Sequence, residues 1–440
     1  MRPISGFSKL SKKEKIDFLV DVYLGKSESK RHLIQGFWHH DQDEQKVFDE
    51  FSENTISNFY FPYGVVPNML INDKLMCVPM VIEESSVVAA CSKAAKFWMK
   101  RGGFKAKVIS TVKNGQVHLI WDGEPSKLIK FFSSVKKELK KSVGPLVKNM
   151  QARGGGLVDI KLIDRTADEP GYFQIWADFE TCDAMGANFI NTVLESLGST
   201  FQEMVATNLE FEGKERELQV VMAILSNFTP ECIVEAWVEC PIEELDDKGH
   251  DMPPEEFASK FSRAVRISKI DVNRATTHNK GIFNGIDAVI LATGNDFRAV
   301  EACGHTWAAR DGVYRGLTDV EVKDGKFKFS LKLPLSLGTV GGLTALHPLA
   351  KTSLEMLAHP SASELMQITA CIGLAQNFAA LRSLTTTGIQ KGHMKMHLMN
   401  ILNHLESNDE ERRLAKEKFA DETISYQAVR DFINSLRKYH

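Results

Sequence analysis

Residues 157–180 read LVDIKLIDRTADEPGYFQIWADFE, and this stretch decides the fold. Its two apolar-rich ends, LVDIKLID (157–164) and YFQIWADFE (172–180), predict a pair of consecutive strands. Upstream, Gly154-Gly155-Gly156 breaks the chain, and residues 126–149 are helical by charge and apolar spacing. Before that helix, 104–112 and 116–121 read as strands, with Asn114-Gly115 between them as a hairpin turn signal. Downstream, 184–204 reads as a helix and 217–225 (ELQVVMAIL) as a last strand. From residue 116 onward the order is β-α-β-β-α-β, the split βαβ order of ferredoxin-like units. Residues 104–226 are therefore expected to form a compact inserted domain with an antiparallel sheet.

The flanking chain is richer in helix. Ser11-Lys12-Lys13-Glu14 is a capping box ahead of a short helix. Residues 86–101 are alanine-rich and stop at Gly102-Gly103, a C-terminal cap signal. Helix dominates about 255–310 and 352–385, and Asp324-Gly325 predicts a hairpin between VEVK and KFKFSLKL. The charged, amphipathic tail from about 399 predicts a small helical appendage. The fold class is thus α+β: a helix-rich large domain (1–103 and 227–384), the insertion (104–226) and a C-terminal helical flap (385–440).

Composition excludes several function classes. A formal net charge of −3 over 440 residues gives no global field toward nucleic acid or a membrane surface. The seven cysteines include no C-x-x-C pair, which argues against a zinc ribbon or redox dithiol and suits a reducing compartment. Neither an N-terminal apolar leader nor a membrane-length apolar run is present, so a cytoplasmic location is expected.

Familiar dinucleotide signatures are missing. The sequence has no G-x-G-x-x-G, no phosphate-binding G-x-x-x-x-G-K-[ST] and no H-E-x-x-H. Four other segments carry chemistry. Asp183-Ala184-Met185-Gly186-Ala187-Asn188 opens a helix, where free N–H groups and the dipole favour a pyrophosphate; an ordinary packed helix start has the same look. Glu83-Glu84-Ser85-Ser86 places two carboxylates between an apolar run and a helix, a setting for a general acid or for a simple helix start. The run Arg274 to Lys280-Gly281, through Asn284 to Thr293-Gly294-Asn295-Asp296, interrupts apolar segments with polar residues of every catalytic type. Lys280 there suits an oxyanion, and Asp296 suits either its charge partner or a helix cap. His393, in Gly392-His393-Met394, precedes the tail and can act as a mobile acid or stand as a structural histidine.

Taken together, these segments resemble the class II (bacterial-type) 3-hydroxy-3-methylglutaryl-coenzyme A reductases. The matching stretches run in family order. They are ENTISNF (53–59), PMVIEESSVVAA (79–90), ARGGG (152–156), DAMGANFINT (183–192), AILSN (223–227), RATTHNKGIFNGIDAVILATGND (274–296), GLAQNFAALR (373–382) and GIQKGHM (388–394). The resemblance implies a catalytic set of Glu84, Lys280, Asp296 and His393, the last on a mobile flap. It implies substrate contacts at Ser86, Arg274, Asn284 and Gln376. It places the dinucleotide at Asp183, Met185, Gly186, Ala187, Asn188 and Asn227. Two departures stand out: Ser85 where the family has proline, and Ala345 where it has lysine after Gly341-Gly342-Leu343-Thr344.

The implied reaction is a four-electron reduction of the acyl-coenzyme A thioester to mevalonate and coenzyme A, without metal, in a homodimer or an oligomer of dimers. In NAD-preferring relatives an aspartate at the end of the helix before the triple glycine binds the adenosine ribose. The matching position is Val147, followed by Lys148, so NADP(H) is expected over NAD(H), with NAD(H) possible. Two other classes fit the same residues: another NAD(P)H-dependent acyl-coenzyme A reductase on this scaffold, and a non-catalytic coenzyme A-binding protein.

Overall fold

The structure is a computed structural model that describes residues 3–246, 252–386, 398–419, 422 and 424–437. Three short helices open the chain: α1 (Lys12–Tyr23), α2 (Glu28–Gly36) and α3 (Gln42–Asp49). Ser11 and Glu14 form both halves of the capping box on α1. The hairpin β1 (Tyr63–Ile71) and β2 (Lys74–Val81) follows, then α4 (Ser85–Met99), which packs across it. Strand β3 (Lys105–Val108) leads into the inserted part.

That part contains β4 (Lys113–Trp121), α5 (Pro125–Ser142), α6 (Gly144–Gln151), β5 (Gly156–Asp164), β6 (Tyr172–Glu180), α7 (Ala187–Thr207) and β7 (Leu218–Leu225). The strands form one antiparallel sheet in the order β5-β6-β4-β7, the ferredoxin-like arrangement. Burial alternates strictly along β6, so Phe173, Ile175, Ala177 and Phe179 all point to the covered face. On that face α7 lays down Ile190, Val193, Leu194, Leu197 and Phe201 at helical spacing. This core is separate from that of the rest of the chain.

Three details differ from the sequence reading. Phe104 and Ala106, expected inside the insertion, pack in the core of the large unit. Asn114-Gly115 is no hairpin turn. Both residues lie inside β4, opposite Asp178 and Ala177 of β6. A Cβ on Gly115 would come within 2.5 Å of Leu194 of α7, so this glycine lets a helix approach a strand, and packing overrides the local turn preference. The helix expected over 126–149 is two helices, divided at Val143 ahead of Gly144-Pro145.

The chain returns through β8 (Ile233–Pro241), α8 (Pro254–Ile270), α9 (Val272–Ala292), α10 (Phe297–Ala308), β9 (Thr318–Lys323) and β10 (Lys326–Pro334). The turn between β9 and β10 is Asp324-Gly325, with positive φ at both residues, as a type I′ hairpin requires. A second antiparallel sheet runs β3-β8-β10-β9. Entry to and exit from the insertion run side by side: Ile109 donates its N–H to the Ile233 carbonyl (2.8 Å) and Ile233 donates back to Ser110 (2.9 Å).

After α11 (Leu343–Leu346) and α12 (Pro348–Met356) comes α13 (Ala362–Thr385), the axis of the large unit. Every residue from Ile368 to Phe378 is buried, so this helix is enclosed on all sides. Helices α4, α8 and α9 and the second sheet pack around it. The tail contributes helical residues 398–404, Asp409–Lys418 and Tyr426–Arg437 around their own apolar cluster. No described helix is long and apolar enough to cross a membrane.

Helices α9 and α13 meet through reciprocal glycines. A Cβ on Gly285 would lie 2.9 Å from the Ile372 carbonyl oxygen, and one on Gly373 would lie 2.8 Å from Ile286 Cγ1. Gly285→Ala should therefore lower stability by about 1–3 kcal/mol through overpacking, even though alanine favours helix. The check is the midpoint of chemical denaturation at constant m-value. A midpoint at or above wild type would show that the helices have room to part.

Candidate active site

Several of the residues singled out from the sequence gather at two places. The first is an ion pair across 196 positions of chain: Lys280 Nζ stands 3.2 Å from Glu84 Oε2. Glu84 is the N-cap residue of α4, set at the end of the β1–β2 hairpin. Ser86, the second residue of that helix, donates its hydroxyl to Glu84 Oε1 at 2.7 Å. Lys280 projects from the middle of α9, and its side chain is 63% exposed. Asn284 lies one turn further along the same helix face.

The other expected substrate contacts stand differently. Arg274 is in the first turn of α9, six residues before Lys280 and so about 120° around the helix from it. Partial burial pushes its guanidinium pKa down, against the opposing pull of Asp271. Gln376 is 5% exposed on α13, and its Oε1 accepts from the Cys91 thiol of α4 at 3.0 Å. It lies in the packing beneath the pair rather than on an open surface.

Asp296 is engaged as a helix cap. Its Oδ1 accepts from the N–H groups of Arg298 (3.0 Å) and Ala299 (3.1 Å), and its Oδ2 accepts from the Arg298 guanidinium at 2.8 Å. The expected pairing of Asp296 with Lys280 is thus replaced by Lys280–Glu84, because the free N–H groups at the start of α10 compete for the carboxylate. His393 lies outside the described residues.

A buried polar set holds α9 in place behind Lys280. Asn279 donates to the Arg315 carbonyl (2.9 Å) and accepts from the Leu317 N–H (2.9 Å). Asn377 of α13 donates to the His278 carbonyl at 3.1 Å. His278 Nε2 meets the Thr318 hydroxyl at 2.6 Å. Burial drives the His278 pKa down to about 3, with Arg274 and Lys269 adding to the effect, so the ring is neutral.

The second place is a groove of about 390 Å³, counted with its open mouth, between the inserted unit and α10. Met185, Ala187 and Asn227 line it, with Lys113 at its base and Ala299, Val300 and Cys303 as the facing wall. Gly186, at φ +85°, is the N-cap of α7; that helix has no side-chain cap and no acid in its first turn. The capped starts of α9, α10 and α13 contrast with it. Its first N–H groups are the donors that an anion would take, so the residues fit a dinucleotide pyrophosphate. Asn188 is exposed in this turn. Asp183 is a fastener instead: its Oδ1 accepts from the Ala362 N–H (2.7 Å) and its carbonyl from the Thr339 N–H (2.8 Å).

Sequence reasoning missed Lys113, which it placed just ahead of a turn, and the segment 336–340. Gly338 donates its N–H to Asn295 Oδ1 at 2.8 Å, and a Cβ on it would lie 2.6 Å from Met185 N. This short segment therefore ties the α9–α10 turn to the 183–186 turn. No periodicity marks either residue.

Val147 requires a correction. Its side chain is 2% exposed within the apolar core of the inserted unit. A side chain there faces the core, not a ribose, so the register argument does not locate a cofactor-selecting position. Lys148 and Asn149 are the exposed residues of that turn.

Comparison with known proteins converges on one family. A family model described as hydroxymethylglutaryl-coenzyme A reductase matches residues 13–398. The chain is 35% identical over 443 residues to the 3-hydroxy-3-methylglutaryl-coenzyme A reductase of Archaeoglobus fulgidus, spanning 99% of this chain and 94% of that one. It is 33% identical to the probable reductase of Borreliella burgdorferi, over 92% and 90% of the two chains. Among solved structures it is similar to the class II reductase from Streptococcus pneumoniae bound to NADPH in open conformations. There the TM-score is 0.71 at 36% identity, covering 87% of this chain and 100% of that chain.

The two roles open to Asp296 separate by substitution. Asp296→Ala should cost about 0.5–2 kcal/mol of stability by uncapping α10, whereas asparagine caps nearly as well as aspartate. Asp296→Asn should therefore match wild type in denaturation midpoint while losing the charge. An equal loss of stability in both variants would rule out the cap as this residue's structural role.

Proposed function

The chain belongs to the hydroxymethylglutaryl-coenzyme A reductase family, and on that footing we propose that it reduces 3-hydroxy-3-methylglutaryl-coenzyme A to mevalonate and coenzyme A with two equivalents of NADPH. The observation that carries this reading is the Glu84–Lys280 pair at 3.2 Å, together with a groove that ends in an uncapped helix N-terminus.

When bound, the nicotinamide supplies one hydride to each reduction step. The protein residues handle charge and protons. The Lys280 ammonium stabilises the oxyanion that develops as the thioester carbonyl becomes a hemithioacetal. The departing coenzyme A thiolate takes its proton from His393. The carboxyl of Glu84 protonates the oxygen of the aldehyde in the second reduction, with Ser86 orienting it through the 2.7 Å hydrogen bond. Arg274 suits the free carboxylate of the substrate, since a guanidinium binds a carboxylate in a bidentate manner. Asp296 completes the proposed set, with the role of tuning the charge of Lys280. Asn284 would face the substrate from the same side of α9 as Lys280, and Gln376 would support the site from the packing beneath it.

NADP(H) is the proposed cofactor, supported by the NADPH held by the pneumococcal structure. Met185, Gly186, Ala187, Asn188 and Asn227 would hold it, with Asp183 fixing their turn. The division into 1–103 with 227–384, 104–226 and 385–440 belongs to the same proposal; three separate apolar clusters support it in outline, with Phe104 and Ala106 falling in the core of the large unit. A homodimer, with a second copy closing the site, belongs to the proposal as well. The exposure of Ile270 and Val272 where α8 gives way to α9 supports it. A cytoplasmic location remains part of the proposal.

Two measurements test the reading. Following nicotinamide absorbance with 3-hydroxy-3-methylglutaryl-coenzyme A, Lys280→Ala should lower kcat by at least about 10²-fold in a folded protein. Activity within a few-fold of wild type would remove this lysine from the mechanism.

Comparing kcat/KM for the two cofactors should favour NADPH. A preference for NADH of more than about tenfold, or ~1.4 kcal/mol, would overturn the cofactor assignment.

A further inference from the structure

Lys113 is a charged residue in a place where charge is costly. It is 4% exposed, at the first position of β4, beneath the groove. Burial pushes its pKa down, against the nearby Cys232, Glu180, Cys182 and Asp183, which favour the charged form. An ammonium has three donors, and the structure accounts for all of them. They reach Thr181 Oγ1 at 2.6 Å, the Ala184 carbonyl at 2.7 Å and the Met185 carbonyl at 3.2 Å. Thr181 closes the set by donating its own hydroxyl to the Ala184 carbonyl at 2.7 Å.

All three acceptors belong to the turn that delivers the chain to α7. In a planar trans peptide the N–H points opposite to the carbonyl before it. Drawing the 184 and 185 carbonyls toward Lys113 therefore turns the N–H groups of Met185 and Gly186 away from it. The turn is also held by Gly338, which packs against the Met185 nitrogen, and by Thr339, which donates to the Asp183 carbonyl. Without the ammonium, the part-buried Met185 carbonyl loses its donor and the Ala184 carbonyl keeps only the Thr181 hydroxyl, and the cheapest relief is to rotate a peptide plane. A rotated carbonyl would face the groove and repel phosphate oxygens.

We propose that Lys113 is a positioning residue for the dinucleotide: it fixes the 184–186 peptide planes and so keeps the groove electropositive without touching the ligand. This rests on reading the groove as the cofactor site. A lysine serving only the fold would, when replaced, weaken everything the enzyme does together. A positioning lysine acts on one ligand.

The test uses the full chain. NADPH binding is titrated by fluorescence in wild type and in Lys113→Met, which keeps the length of the side chain, and KM is measured for both substrates. The dissociation constant and KM for NADPH should rise by about tenfold or more, while KM for 3-hydroxy-3-methylglutaryl-coenzyme A stays within about twofold. Thr181→Val, which keeps the ammonium but removes one partner, should show a smaller loss in the same direction, and it decides the matter should Lys113→Met fail to fold. NADPH binding within about twofold of wild type in the deciding variant, or an equal rise in both KM values, overturns the proposal. A wild-type chain that binds no NADPH overturns the reading of the groove itself.

Discussion

The approach of α9 to α13 is the constraint on which the rest of the molecule depends. Gly285 and Gly373 each leave a notch that the other helix fills, with Ile372 and Ile286 as the filling groups. Dense interiors transmit displacement instead of absorbing it, so the position of α9 follows from this contact. Lys280 lies about one and a half turns upstream of the notch. Glu84 is held on the same axis by α4, which also packs on α13. Two residues from distant parts of the chain meet because both of their helices are seated on one buried helix.

The ion pair itself contributes little to stability. With both side chains substantially exposed, such a pair is worth at most about 1 kcal/mol. Its partners are therefore free to exchange each other for a ligand at small cost. The buried polar set around His278, Asn279 and Asn377 behaves in the opposite way. Its members are fully desolvated, so disrupting them would leave orphaned groups. Rigid support behind and loose pairing in front is the division that an active site needs. The same contrast appears at the groove, where segment 336–340 grips both the 183–186 turn and the α9–α10 turn.

What the sequence made legible follows the range of the forces involved. Asp324-Gly325 and Asn114-Gly115 are near-identical turn signals, yet only the first is a turn. The first is flanked by strands that pair with each other. The second is decided by Leu194, a residue on a helix that begins more than seventy positions later. The capping box at Ser11 depends on four neighbouring residues and was readable outright. Residue spacing left Glu84 and Lys280 as separate candidates, and only resemblance to a family joined them. Lys113 and Val147 show the limit most plainly. A lysine on a strand and a valine on an amphipathic helix look ordinary, and which way each faces is settled by elements far along the chain.

The two crossings between the large unit and the insertion are hydrogen-bonded to each other, Ile109 and Ser110 against Ile233. Seen from the large unit, the whole excursion begins and ends at one spot, as a tight hairpin would. Neighbouring chain ends are what allow one domain to be spliced into another. The large unit's core tolerates the long excursion there, because closing a longer loop costs only slowly more entropy. The architecture is thus one in which the insertion can be acquired, exchanged or reshaped as a unit in a single genetic event, leaving the buried axis undisturbed.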